Sequence, residues 1–286
     1  MDSLRGTGVA LVTPFTEEGE VDFTGLKNVL EFTGAHVDYF VVLGTTGEAA
    51  TLNKTEKKEV LEFVKNNNPK ELPIVVGIGG NNTAQIIEDI KTTHLEGVVA
   101  VLSVSPYYNK PSQAGLIAHY TAIADASPLP IILYNVPGRT GSNISIKTTL
   151  ELANHSNIIG IKEACGDLSQ TGEIASSKPD DFMIISGDDM LTAAMMKQGT
   201  IGAISVMANG FPKEFTEITT YALAGDFDQA QKASNRLEAV NPLMYEESNP
   251  VGVKEVLRQK GICGNNVRLP LVPASQSLRE RLSQLL

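Results

Sequence analysis

Eight short apolar runs, each followed by a helix-sized segment, constrain this chain more than any other feature. They cover residues 8–15, 39–44, 73–78, 98–104, 130–136, 158–164, 182–188 and 202–207. Near-continuous apolar runs of this length read as strands buried on both faces. Strands that alternate with helices predict an α/β fold with a parallel sheet, here a (β/α)8 TIM barrel. An open doubly wound sheet is the rival, and it is weaker because no glycine-rich GxGxxG turn follows any run. Helix signals fit the spacing. Residues 22–36 set Phe23, Leu26, Leu30 and Phe32 among polar residues. Asn53-Lys54-Thr55-Glu56 supplies an N-cap and an early acid, and Pro111-Ser112-Gln113-Ala114 reads as a proline-started helix. After about Gly225 the alternation stops. Residues 226–240, 250–260 and 274–286 read as three helices with no strand between them. The expected organisation is a catalytic barrel over residues 1–224 and a helical extension over residues 225–286.

Composition narrows the partners. A formal net charge of −10 and a pI near 5.0 argue against nucleic acid or an anionic membrane as the main partner. An anionic small substrate stays open, because a local basic residue can override the global sign. No apolar run approaches transmembrane length. Met1-Asp2-Ser3-Leu4-Arg5-Gly6 lacks a signal-peptide pattern. Cys165 and Cys263 stand far apart and make neither a disulfide framework nor a zinc cluster. A reducing cytoplasm is the expected location.

Reactive groups of such barrels gather at the C-terminal ends of the strands. Lys162 lies in the apolar run Ile158-Ile159-Gly160-Ile161-Lys162-Glu163-Ala164. Burial disfavours its charged form and frees the amine to attack a carbonyl carbon. The alternative is a structural lysine paired with Glu163 or another acid, and the segment alone leaves both open. Gly160 shares strand parity with Lys162, so a small neighbour is expected to leave room for a substrate. Gly44-Thr45-Thr46-Gly47 offers two hydroxyls and backbone amides suited to a carboxylate, or else an ordinary helix cap. Tyr107, Tyr108 and Tyr134 are candidate proton carriers, with core packing as the alternative for each. Arg139, after a Pro-Gly turn, is a candidate carboxylate clamp or a solvated surface residue. His36, His94, His119 and His155 lie away from these ends, and no pair has metal-ligand spacing. That pattern favours a lysine imine with tyrosine proton transfer over metal-assisted aldol chemistry.

Four motifs together resemble the pyruvate-dependent class I aldolase and lyase superfamily, and within it the dihydrodipicolinate synthase family. They are Gly44-Thr45-Thr46-Gly47-Glu48, Tyr107-Tyr108-Asn109-Lys110-Pro111, Tyr134-Asn135-Val136-Pro137-Gly138-Arg139-Thr140 and Gly160-Ile161-Lys162-Glu163-Ala164. The likeness runs nearly end to end, through Ser186-Gly187-Asp188, Gly202-Ala203-Ile204-Ser205-Val206 and Arg268-Leu269-Pro270. It implies condensation of pyruvate with L-aspartate-4-semialdehyde through an imine on Lys162, giving 4-hydroxy-tetrahydrodipicolinate for diaminopimelate and lysine synthesis. It implies no metal or organic cofactor, and a homotetramer built as a dimer of dimers. By position, Thr45, Tyr108 and Tyr134 match the proton relay, with Tyr108 crossing a dimer interface. Thr46 matches the group that holds pyruvate's carboxylate, and Arg139 the one that binds the semialdehyde's. Gly187 and Ile204 match pocket-lining backbone positions. Relatives that cleave sialic acid or 2-keto-3-deoxy sugar acids, and a non-catalytic paralogue, are the competing readings.

Many synthases of this family are inhibited by lysine. The matching positions are Ala49, Lys54, Lys57, Asn81, Gln85 and Tyr107. Sensitive bacterial enzymes commonly carry histidine at the Lys57 position and glutamate at the Gln85 position. Lys57 would repel the inhibitor's ammonium groups, and Gln85 removes an acid that would bind one. Weak or absent feedback is therefore expected.

Overall fold

A computed structural model describes residues 2–286. Eight parallel strands close into a barrel in chain order. They are β1 (Gly6–Ala10), β2 (Tyr39–Val42), β3 (Ile74–Gly77), β4 (Ala100–Val104), β5 (Ile131–Asn135), β6 (Ile158–Glu163), β7 (Met183–Ser186) and β8 (Gly202–Ser205). β1 pairs with both β2 and β8, which removes the open-sheet alternative.

The intervening helices are α1 (Phe23–Gly34), α2 (Lys54–Asn66), α3 (Thr83–Thr92), α4 (Gln113–Ala126), the single turn α5 (Pro137–Thr140), α6 (Ile146–Leu152), α7 (Leu168–Ser177), α8 (Thr192–Lys197) and α9 (Pro212–Leu223). Side chains alternate across each strand. Tyr39, Val41, Leu102, Ile132, Ile185 and Ile204 fill the barrel interior. Phe40, Val42, Val101, Leu133, Ile161 and Ile184 pack outward in the layer shared with the helices. Both faces are buried, so the strands carry no regular polar alternation.

Most of the apolar runs extend past the ladders at their C-terminal ends. The Leu11 amide still donates to the Val41 carbonyl at 3.0 Å, and residues 12–15 then leave the sheet, where the Val12 amide donates to Asn209 Oδ1 at 3.1 Å. The chain turns away there to build loops over the barrel mouth. Two helix expectations need correction. Pro111 lies outside α4, whose N-cap is Ser112, with the Ser112 hydroxyl accepting from the Gly115 amide. Among the described residues, four helices rather than three follow Gly225. They are α10 (Phe227–Asn235), α11 (Asn241–Tyr245), α12 (Val251–Gln259) and α13 (Gln276–Ser283). A five-residue helix such as α11 is too short to print a 3.6-residue period in its sequence. α10 packs on α8 and α9, and α12 packs against α11 and α13. No helix among the described residues is long and apolar enough to cross a membrane.

Candidate active site

Lys162 stands on β6 directly beside Tyr134 of β5 in the strand register. It is 5% exposed, and its Nζ lies 4.4 Å from the Tyr134 ring centroid. That distance is within cation–π range. The structural alternative, an ion pair with Glu163, does not form. Glu163 is next in the strand and points to the opposite face, where it accepts hydrogen bonds from Asn135 Nδ2 (2.9 Å), Gln170 Nε2 (2.9 Å) and the Cys165 amide (2.9 Å). Burial pushes its carboxyl above the usual range, and these donors oppose the shift. Among the described residues, no carboxylate lies within ion-pair distance of Lys162 Nζ.

Gly187 follows β7 and lies against the lysine. A Cβ there would lie 2.7 Å from Ala164 Cβ and 2.9 Å from Lys162 Cε. Gly160 serves differently from expectation. A Cβ on it would meet Met183 O at 2.7 Å and Met183 Cβ at 2.9 Å, so β7 fills the space it leaves. Ile204, 1% exposed, closes the interior from β8.

Asp189 is a second buried ionisable group near the lysine, and no role was read for it in the sequence. Its Oδ2 accepts from the Met207 amide (2.8 Å), the Val206 amide (3.2 Å) and the Tyr245 hydroxyl (2.8 Å). Burial raises its carboxyl, while the Met207 amide, Ser205, Tyr245 and the Lys162 charge pull it back. The Tyr245 hydroxyl is pushed well above its usual range by burial and by this carboxylate.

The turn after β2 is bracketed by Leu43 (φ 60°) and Glu48 (φ 50°), both in the left-handed region. Such strain costs about 1–3 kcal/mol per residue and persists only where neighbours hold it. Here Lys254 Nζ donates to Glu48 Oε1 at 2.6 Å, and the Arg268 amide donates to Glu48 Oε2 at 3.0 Å. Thr45 is exposed, whereas Thr46 is buried and accepts from Asn249 Nδ2 at 3.0 Å. Neither threonine caps a helix. The next helical turn, Ala49–Thr51, has Glu48 at its N-cap position and no side-chain cap.

The remaining candidates lie outside the barrel. Tyr108 is 91% exposed and left-handed at φ 70°, so it does not pack in the pocket of its own chain. Arg139 is exposed on α5, a short helical turn rather than a loop. One chain thus brings Lys162, Tyr134, Gly187, Asp189 and Ile204 together and leaves Thr45, Tyr108 and Arg139 on the surface.

The family profile described as "Dihydrodipicolinate synthetase family" matches residues 3–286. The chain belongs to that family. It is similar to the 4-hydroxy-tetrahydrodipicolinate synthase of Cytophaga hutchinsonii, at 50% identity over 99% of this chain and 96% of the relative. The enzyme of the same name from Flavobacterium psychrophilum is 47% identical over 99% of this chain and 97% of its own. Among solved structures, the chloride-inhibited dihydrodipicolinate synthase of Acinetobacter baumannii complexed with pyruvate superposes with a TM-score of 0.96. It is 40% identical and covers 99% of this chain and 97% of its own.

The residues expected from the sequence at a lysine-inhibitor site lie on and around α2 and α3. Lys54 Nζ lies 3.3 Å from Asp89 Oδ1, and Gln85 Nε2 donates to the same atom at 2.8 Å. Asn81 Nδ2 donates to the Tyr107 carbonyl at 3.1 Å. Lys57 is half-buried on α2, and Ala49 packs against the core. The residues that sequence reasoning left without a role are Asp189, Tyr245, Asn249, Glu48 and Lys254. Asp189 directly follows the strand-end residues Ser186-Gly187-Asp188, a position that could have marked it. The others act across 56 to 206 residues of chain and leave no local mark.

Proposed function

We propose that this chain condenses pyruvate with L-aspartate-4-semialdehyde through a Schiff base on Lys162, yielding 4-hydroxy-tetrahydrodipicolinate for diaminopimelate and lysine synthesis. The observation that carries the reading is a buried lysine with no acidic partner, set over a tyrosine ring in a chain of this family. The neutral amine attacks the ketone carbon of pyruvate, and loss of water leaves the imine. Loss of a methyl proton then gives an enamine, whose terminal carbon adds to the aldehyde. The substrate's amine attacks the imine carbon, releases Lys162 and closes the ring. Tyr134 is assigned proton transfer at the imine. Thr46 is assigned to pyruvate's carboxylate and Arg139 to that of the semialdehyde. Gly187 and Ile204 line the pocket. The test is turnover of both substrates coupled to the next reductase, with borohydride trapping of pyruvate on the protein. Turnover with the trap mapped to Lys162 is expected, and trapping on another residue would sink the assignment.

Tyr108 supports a site completed by a second copy. A tyrosine this exposed, held in a left-handed backbone, is suited to reach a neighbouring pocket. In this reading Thr45 links Tyr108 of one copy to Tyr134 of the other, within a homotetramer of paired dimers. Mixing inactive Tyr108→Phe and Lys162→Ala proteins is expected to restore part of the activity in hybrid oligomers. No recovery in verified hybrids would place Tyr108 outside the relay.

Residues 1–224 are read as the catalytic barrel, and residues 225–286 as a brace on its C-terminal face. Both cysteines are free, in keeping with a reducing cytoplasm. Feedback by lysine is expected to be weak or absent, because Lys57 adds a positive charge and Gln85 supplies no acid. Inhibition by sub-millimolar lysine in the coupled assay would overturn this.

A further inference from the structure

The segment from α11 to α12 reaches the barrel mouth at three side-chain contacts. Tyr245 donates to Asp189 at 2.8 Å, Asn249 to Thr46 at 3.0 Å and Lys254 to Glu48 at 2.6 Å. The outer two tie down buried carboxylates and so fix the segment between them. The middle one differs, because Asn249 touches a residue assigned to substrate and carries no charge.

A threonine hydroxyl offers one proton to donate and two lone pairs to accept. Thr46 Oγ1 accepts from Asn249 Nδ2, and no described residue accepts the Thr46 proton. Asn249 is 6% exposed, and its Oδ1 is buried without a partner. Turning the amide over would let Thr46 donate to Oδ1, but it would move both N–H donors, one of which Thr46 now takes, into the buried position where Oδ1 has no partner. Unpaired buried N–H groups are rarer than under-used carbonyl oxygens. The amide therefore faces Thr46 as a donor and occupies one of its lone pairs. The hydroxyl proton is left free for an acceptor outside the protein.

We propose that Asn249 is a positioning residue that directs the Thr46 hydroxyl proton toward the carboxylate of the 2-oxo acid. The inference rests on the reading that Thr46 binds that carboxylate. A donor behind Thr46 makes it a donor toward substrate, whereas an acceptor there would take its proton. Hydrogen bonds to a charged acceptor are the stronger kind, so a misdirected hydroxyl weakens binding of the anion. Chemistry at Lys162 is left in place.

The test compares Asn249→Leu, Thr46→Val and the double variant by pyruvate KM, kcat and the pyruvate concentration that half-saturates borohydride trapping. Asn249→Leu is expected to raise KM and the half-saturation point by about 3- to 10-fold, the size of one hydrogen bond, with kcat within about twofold. Thr46→Val is expected to raise both at least as much. In the double variant the Asn249 effect should vanish, because its route is gone. If Thr46→Val leaves pyruvate affinity unchanged, the reading of Thr46 fails and this inference with it. If Thr46→Val weakens binding while Asn249→Leu does not, or if the two effects multiply, the positioning role alone is refuted. Asn249→Asp keeps the side chain's shape and supplies an acceptor for the Thr46 proton. It is expected to weaken pyruvate more than Asn249→Leu does. An equal or smaller effect would count against the proposal, and so would a loss of kcat alone.

Discussion

A lysine inside an apolar barrel is costly unless its surroundings use it. Lys162 sits 4.4 Å from the Tyr134 ring, beside a glycine whose Cβ would collide with its Cε. Tyr134→Phe keeps the ring under Lys162 and removes only the hydroxyl. Imine trapping on Lys162 should persist, while turnover falls by about 10²–10⁴-fold, the usual cost of a lost general acid–base. Unchanged kcat would take Tyr134 out of proton transfer. Cys165, three residues after Lys162, has its thiol pushed up to about 12 by burial and by Glu163. It holds little thiolate at neutral pH and takes no part in the chemistry read for the site.

At the scale of elements, α2 is the helix most fully specified by its own sequence. Asn53 and Glu56 form a capping box, with the Glu56 amide donating to Asn53 Oδ1 at 3.0 Å and the Asn53 amide donating to Glu56 Oε2 at 2.8 Å. The same Glu56 accepts from Arg268 Nη1 at 3.0 Å and Nη2 at 2.5 Å, so a cap also anchors the segment after α12. The Arg268 guanidinium holds Glu56 below the usual carboxylate range. A carboxylate depressed in the folded state stabilises above its unfolded pKa. That contribution is lost as pH falls through the folded value. Arg268→Ala should therefore lower the thermal midpoint at neutral pH and matter progressively less in acid. Equal destabilisation at all pH values would show that the Arg268 side chain acts by packing alone.

For the whole molecule, the ion pair of Lys254 (0% side-chain exposure) with Glu48 (3%) joins two regions 206 residues apart. Removing one partner of a buried pair typically costs about 3–5 kcal/mol, because the other charge is stranded. Lys254→Met should lower the unfolding free energy by that amount and loosen the turn that carries Thr46. Adding Glu48→Gln should recover much of the stability, as no buried charge then remains. A double variant as unstable as Lys254→Met would mean that the pair acts through shape rather than charge. This pair ties a helical extension with no strand of its own to the turn after β2 at the barrel mouth.

What the sequence determined alone follows from local periodicity. Eight apolar runs with helices between them leave few alternatives to a closed parallel barrel, and the strand-end rule then picks out Lys162 and Tyr134 as candidates, while Gly187 enters by family likeness. Motif likeness carried the chain to its family. Only the tertiary structure decided which acid stands near the lysine. Glu163 is adjacent in sequence but faces the helices, and Asp189 is brought in by a loop held from β8 and α11. It also decided what Gly160 makes room for, which is Met183. The contacts of Asn249, Lys254 and Tyr245 were illegible beforehand. They join residues 203, 206 and 56 positions apart, and a single chain carries no local signal for pairs that far separated.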